Sequence, residues 1–553
     1  MSVAVKESGR FDYIVVGAGT AGCVVTNRLV SSGAKVCLLE AGPEDFHPMI
    51  HMPAGYVKTI HSKTLTWNFR GRAGAFVGRE FDLPQGRVLG GSSSINGLSH
   101  VRGQRADYDG WEKAGNPGWS YADILPYFMR SEQKLGQGDD RFRGRRGELS
   151  VTEPDWVLPI CDTFIEGLKE LGIERTPDYN GATHAGSGYF QRTIAQRFRQ
   201  SSAKAFLKPV RKHPQLKVLT HAQATRIVFE GKRAVGVEYV SGDSHGQREL
   251  IRASREVILC AGSVNSARLL QLSGVGPADV LQAAGVPVLH ALSGVGRNLR
   301  DHYRMRMVAR LKGVQSINQL VRGPGLVTEG LKWLFGKPSP FGVSASLVHV
   351  FFKSRPDVPR PDVEGVFSPA SFREGIIGDL DDYPGATLGI WQGRPESHGF
   401  VALTCPDPFV QPLIQPNYLT DERDQRVLLD AMRIGRRMFQ SKRMAPYFVE
   451  ETAPGAACQT DDEFLDFARR NGATVYHLVG TCRMGPAGRA DSVVDAELRV
   501  HGMQGLRVID ASIMPSLPSV NTNASVLMIA EKGADLVLGR SLPRAENLPE
   551  PLP

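Results

Sequence analysis

No run of about 18 apolar residues occurs in the 553-residue chain, so no transmembrane helix is expected. Met1 to Arg10 lacks the apolar stretch of a secretory leader. Cysteine is scarce, with seven at 23, 37, 161, 260, 405, 458 and 482 and no CxxC pair. An odd, scattered set argues against a disulfide scaffold or a zinc site and suits a reducing, cytoplasmic compartment. Neither sign of charge dominates: 66 Lys and Arg stand against 57 Asp and Glu, and the net +9 is spread along the chain. The cluster Arg141, Arg143, Arg145 and Arg146 reads as a solvated loop, so no nucleic-acid partner is expected, although the charge permits peripheral contact with a membrane surface. No internal repeat is visible.

With 41% hydrophobic and 22% charged residues, the composition is that of a soluble globular protein long enough for two or three domains. The stretch Phe11 to Gly42 organises the rest. Tyr13–Val16 is a short β-branched run that reads as a buried strand. Gly17, Gly19 and Gly22 follow in GxGxxG spacing, Thr20–Ser32 (with Ala21 among its packing residues) reads as a helix, and Lys35–Leu39 reads as a second strand running into Glu40 and Ala41. Gly17 suits the tight turn, Gly19 a close approach to a pyrophosphate at the helix N-terminus, and Gly22 close helix–strand packing. Glu40, 23 residues past Gly17, can accept hydrogen bonds from a ribose diol. A ligand-free glycine turn is the alternative, and the flanking strand, helix and acid disfavour it. Glu40 also disfavours a 2′-phosphate, which leaves FAD or NAD.

Residues 43 to 110 contain few clear elements and many glycines, as a cofactor cover or a surface excursion would. Within them, Leu83–Gly97 (LPQGRVLGGSSSING) has too many small residues for a core. It suits backbone running close to a large flat group or donating amides to phosphate, bounded by Arg87, Leu89 and Asn96. Further strands are expected at Leu149–Thr152, Leu216–Leu219, Ala224–Phe229, Val235–Tyr239 and Arg255–Leu259. The last runs into Cys260-Ala261-Gly262-Ser263 and a helix Asn265–Leu272, a second pass beside the same ligand. Helices are expected at Pro159–Leu171, from Ser201 to near Pro209, at Asp421–Phe439 and at Asp461–Arg470. Strands are expected at Leu347–Phe352, Thr387–Trp391 and Phe400–Leu403. Near the end, Leu506–Ile509 leads to Asp510-Ala511-Ser512, and Ala524–Val537 reads as a helix capped by Thr522 or Asn523. The proline-rich tail Leu548–Pro553 is expected to fray.

Taken together, GAGTAG with Glu40, GRVLGGSSSING (86 to 97), GSVNSARLLQLSGVG (262 to 276), GVGRNLRDH (294 to 302), YHLVGTCRMG (476 to 485) and VIDASIMPSLPSVNTNASVLMIAEKGAD (508 to 535) resemble the glucose–methanol–choline (GMC) oxidoreductases. The bacterial choline-dehydrogenase-like branch looks most similar. The resemblance implies an α/β and α+β fold: a Rossmann-type FAD-binding domain with a discontinuous chain (1–155, 205–310 and 471–553) and a substrate domain of antiparallel sheet and helices (156–204 and 311–470). It implies His477 as the base that takes the hydroxyl proton and Asn521 as the second catalytic residue. It also implies Gly90, Gly91, Ser92, Asn96 and Gly97 against the flavin, and Ala224 at the adenine. Asp510, Ala511 and Thr522 fall near the pyrophosphate and ribityl chain, and Trp67 with Asn68 over the FAD. Some relatives attach FAD through a histidine just before the asparagine; Ile95 stands there, so FAD is expected to be non-covalent. Ala267 and Leu478 replace prolines common in the family.

The implied reaction is oxidation of a primary alcohol, with FAD taking the hydride and histidine suited to the proton by its near-neutral pKa. A quinone or other non-oxygen acceptor is expected, with O2 as the alternative. Retention of His477 and Asn521 disfavours a lyase or a photodecarboxylase, while a flavin-binding scaffold would hold FAD that no alcohol reduces. Trp and Tyr at 56, 67, 179, 189 and 391 do not declare an acidic aromatic cage, so a non-choline alcohol is favoured. A monomer or a homodimer is compatible with all of this.

Overall fold

The computed structural model describes residues 6–242, 246–373 and 378–549. The tail from 550 onward, part of the stretch expected to fray, lies outside the described residues.

Two seven-stranded sheets carry the molecule. In the first, strands Leu216–Leu219, Val36–Leu39, Lys6–Val16 and Arg248–Leu259 run parallel in that order, and Leu506–Val508 pairs parallel with the last. The hairpin Ala222–Glu230 and Arg233–Ser241 extends the sheet antiparallel. Val36–Leu39 is wholly buried, as expected of a strand covered on both faces. Helix Thr20–Ser31 packs on this sheet through Gly22, where a β-carbon would come within 1.8 Å of the Gly17 carbonyl oxygen. The first strand begins at Lys6, earlier than its apolar run suggests, because its first half is polar and largely exposed.

The second sheet is antiparallel, in the order Phe448–Ala453, Tyr303–Leu311, Gly385–Gln392, Val363–Ser368, Val348–Phe352 and Gly186–Tyr189. Ala473–Thr474 also pairs with Tyr303–Leu311. The expected boundary at 310 falls inside strand Tyr303–Leu311 of this sheet, and that at 471 falls at the end of helix Asp461–Asn471. Strand Tyr303–Leu311 alternates: Met305 and Met307 enter the core behind the sheet, while Arg304 and Arg306 face the other way. Helix Glu422–Phe439 lies on the back, capped by the Asp421 side chain, which accepts from the Arg423 N–H. Gly435 permits its close approach, since a β-carbon there would come within 2.6 Å of Ile390 and Met307.

The remaining elements keep close to expectation, with local differences. Phe400–Ala402 forms a separate ribbon with Leu413–Gln415. The turn Ala203–Leu207 is π-helical, ahead of Pro209 in the following short helix. Residues 43–110 hold short helices at Pro48–His51 and Tyr56–Thr59 and a hairpin of Phe69–Arg72 with Glu80–Leu83. Helix Asn523–Val537 starts with Thr522 at its N-cap, but neither expected side chain caps it: Asn523 Oδ1 instead accepts from the Thr20 hydroxyl at 2.9 Å. All seven cysteines are free, and among the described residues no helix is long and apolar enough to cross a membrane.

Candidate active site

A cavity of about 380 Å³ runs from the carboxyl ends of the parallel strands to the arginine-bearing face of the second sheet. At one end the glycine loop leaves backbone bare. Gly17 has a positive φ of 99°, and a β-carbon on Gly91 would come within 2.7 Å of the Gly19 Cα. Helix Thr20–Ser31 has no side-chain cap and no acid in its first turn, so its N–H groups and dipole remain available to an anion. The Thr20–Asn523 bond brings a second helix N-terminus alongside. Glu40 is buried, with Oε2 accepting from the Ala18 N–H (2.9 Å) and Oε1 from the Gly42 N–H (2.8 Å). Burial pushes its carboxyl up to about 7, against these two bonds, and lone pairs remain for a diol. Asp510 ties two loops together: Oδ2 accepts from the Gly262 N–H (2.9 Å) and the Ser266 hydroxyl (2.5 Å), and Oδ1 from the Ser512 N–H (2.8 Å). The bare glycines, the open helix ends and the buried acid fit the ADP half of a dinucleotide.

Gly17, Gly19, Thr20, Ala21, Glu40, Ala41, Trp67, Gly91, Ser92, Asn96, Gly97, Ala224, Ala261, Gly262, Asp510, Ala511 and Thr522 line this cavity, as do His477 and Asn521. Five expected residues do not. Gly22 sits inside the helix–strand contact. Leu89 is in the core of the first sheet. Gly90 turns the chain behind the wall, its N–H donating to the Ala18 carbonyl at 2.8 Å. Arg87 lies over the Trp67 ring, 5.2 Å from its centroid. Asn68, beside Trp67, turns back onto its own loop, donating to the Lys63 and Thr66 carbonyls. Asn96 is fixed by Arg199, whose Nη1 donates to its Oδ1 at 2.9 Å. Ile95 lines the cavity and offers no atom for a covalent link.

At the other end the loop after Ala473–Thr474 presents His477. Tyr476 adopts a positive φ of 67°, a region costly for a non-glycine residue. Asp301 holds that loop: it accepts from the His477 N–H (2.7 Å), the Thr474 hydroxyl (2.5 Å) and the Tyr418 hydroxyl (2.6 Å). His302 then reaches His477 through a contact of 2.9 Å between their Nδ1 atoms, and its own Nε2 lies 2.8 Å from the Gly393 carbonyl. A carbonyl only accepts, so the His302 proton is on Nε2 and its Nδ1 is a lone pair. His477 must therefore carry its proton on Nδ1, which leaves Nε2 bare. Asn521 Nδ2 donates to that Nε2 at 2.9 Å, and Asn521 Oδ1 accepts from the Ser99 hydroxyl at 3.3 Å. Burial lowers both histidines, His302 to about 4, so both imidazoles are neutral near pH 7.

His302 and Asp301 were not among the expected site residues, although GVGRNLRDH ends in both. Arg304, on the strand that follows, also lines the cavity.

Residues 11–304 and 395–530 match the GMC oxidoreductase model in its N- and C-terminal parts. The chain belongs to the GMC oxidoreductase family. It is 39% identical to an alcohol dehydrogenase (acceptor) of Pseudomonas putida over 536 residues, 96% of each chain. It is 38% identical to the oxygen-dependent choline dehydrogenase of Brucella anthropi, over 98% of this chain and 97% of that one. Among solved structures, pyridoxine 4-oxidase from Mesorbium loti matches with a TM-score of 0.85 at 30% identity, over 95% of this chain and 98% of that one. This GMC oxidoreductase is an FAD-dependent enzyme acting on CH–OH groups.

Proposed function

We propose that the enzyme oxidises a primary alcohol to the aldehyde and passes the electrons to a quinone or another non-oxygen acceptor. The observation that carries the alcohol oxidation is the unprotonated Nε2 of His477 on the cavity wall, with the His302 contact behind the ring and the Asn521 amide donating to it in front. FAD, bound without a covalent link, supplies the hydride acceptor at its N5 when present. The cavity-lining residues of the glycine loops, Glu40 and the 510–522 region would hold it.

His477 Nε2 takes the hydroxyl proton of the alcohol. Asn521 Nδ2 donates to the alcohol oxygen and fixes its direction. Asp301 and His302 act through His477: the first clamps its backbone, the second keeps its other nitrogen protonated. Because burial keeps the imidazole neutral, its Nε2 lone pair is available to the bound hydroxyl proton.

An anaerobic stopped-flow screen of holoenzyme with aliphatic, benzylic and furanic alcohols and choline tests the reading. His477→Ala should retain FAD while flavin bleaching slows by about two to four orders of magnitude. Bleaching at the wild-type rate would remove His477 from the mechanism. The second reading, an oxidase releasing hydrogen peroxide, is supported by the oxidase name of one structural relative. Stoichiometric peroxide in air, with no dye reduction without it, would replace the dehydrogenase reading.

A further inference from the structure

What else the alcohol carries can be inferred from the second sheet, on the premise that the cavity oxidises an alcohol. Arg304 and Arg306 both line the cavity from strand Tyr303–Leu311. The neighbouring strand sets Trp391 opposite Arg304 and Gly389 opposite Arg306. A β-carbon on Gly389 would come within 3.2 Å of the Arg304 Cδ and 3.1 Å of the Val366 Cγ2, so the bare position leaves room for the arginine stem to lie across the sheet.

Arg304 Nε and Nη2 are buried and have no hydrogen-bond partner. Together they form one edge of the guanidinium, an edge a carboxylate grips with two parallel bonds. A buried cationic edge without an acceptor is costly in a folded protein, and a carboxylate could satisfy it. Nearby Asp301 already accepts from two hydroxyls and the His477 N–H. Among the described residues, the acids on the cavity wall are Glu40 and Asp510, both at the dinucleotide end. The fixed charge at the His477 end is thus positive. Burial lowers both arginines, and the Arg304 charge also disfavours protonation of His477. An anion seated on Arg304 would offset each of these penalties. Phe190, Trp391 and Val366 supply apolar wall for a ring or short chain between that anion and the hydroxyl.

We propose that the substrate is a primary alcohol bearing a carboxylate, bound by Arg304 with Arg306 beside it, and that the site disfavours quaternary ammonium alcohols such as choline. A cation would meet two guanidiniums and, among the described residues, no acid on the cavity wall at this end.

Matched probes decide it with holoenzyme. Anaerobic flavin reduction is compared for 4-(hydroxymethyl)benzoate, benzyl alcohol and choline, and binding of 4-methylbenzoate, which has no hydroxyl, is followed by calorimetry and flavin spectral perturbation. The carboxylate alcohol should exceed benzyl alcohol by about 100-fold in reduction rate over Kd. Arg304→Met should collapse that ratio toward one and abolish 4-methylbenzoate binding, and Arg304→Lys should restore part of both. Reduction by benzyl alcohol or choline as efficient as by the carboxylate alcohol overturns the charge assignment and leaves alcohol oxidation standing. Arg304-dependent binding of 4-methylbenzoate with no alcohol reducing the flavin supports the anion site and overturns the oxidation reading. If Arg304→Met does not fold, the wild-type ratio and the binding measurement decide alone.

Discussion

Replacing His302 with leucine removes the acceptor of the His477 Nδ1 proton while leaving every cavity-lining atom of His477 in place. In a buried site an N–H without a partner costs about 1–3 kcal/mol. The imidazole can avoid that penalty by moving its proton to Nε2, where it faces the substrate and can no longer accept one. A bias of about 1–2 kcal/mol toward the other tautomer leaves roughly one molecule in six to one in thirty in the active form. Flavin reduction in the His302→Leu enzyme should therefore slow by about 5- to 30-fold, with the substrate Kd changed by less than about threefold. His302→Gln provides the control, because its amide can accept from His477 and donate to the Gly393 carbonyl as the imidazole does. The glutamine variant should recover most of the rate. Anaerobic stopped flow measures both, and 15N shifts of the imidazole report the tautomer directly. A leucine variant as fast as wild type, or a glutamine variant as slow as leucine, would refute the relay.

Three further outcomes follow from other parts of the molecule. Gly22→Ala pushes a methyl group to within 1.8 Å of the Gly17 carbonyl, so the variant should lose about 1–3 kcal/mol of stability and much of its flavin, read by thermal unfolding and the absorbance ratio of purified protein. Glu132 is buried against Arg102, Arg143 and His100; burial alone would raise its carboxyl, but the two arginines hold it well below its usual value. Its contribution is present above the unfolded pKa and lost as pH falls through the lowered folded value, and Glu132→Ala should cost about 3–5 kcal/mol in denaturant unfolding near pH 7. Glu40, raised to about 7 by burial, behaves in the opposite sense: in the apoprotein its contribution is present below the unfolded pKa and lost as pH rises through 7. A ribose diol donates to the ionised form, so FAD affinity should climb with pH up to about 7 and then level off, and Glu40→Gln should flatten that climb in fluorescence titrations.

The dinucleotide half is legible because its signals are local. A β-branched strand, a glycine turn, a helix and an acid follow one another within Tyr13–Glu40, and each constrains the next. The polar start of the first strand escapes notice because only pairing with Glu249 to Ala253 orders it. Strand Tyr303–Leu311 hides for a different reason. YRMRMVARL reads as a half-exposed element, yet its arginine face is closed over by the cavity, which is a fact of tertiary packing. His477 and Asn521, 44 residues apart, are joined by resemblance alone, since no periodicity links two loops. His302 lies 175 residues from His477, and its meaning appears only when the proton positions are worked through the contact.

Strand alternation in the second sheet separates two kinds of freedom. Residues 304, 306, 389 and 391 face the cavity, while Met305, Met307, Leu388 and Ile390 bear the weight of helix Glu422–Phe439 on the reverse. A lineage can therefore rewrite charge, size and shape on the front, one odd or even position at a time, with the buried reverse left untouched. The cofactor machinery stands on another sheet altogether. Such a partition lets a duplicated gene explore new alcohols without first surrendering its fold or its flavin, and a library randomised at 304, 306 and 391, with Gly389 kept for the arginine stem, would sample substrates more than stability.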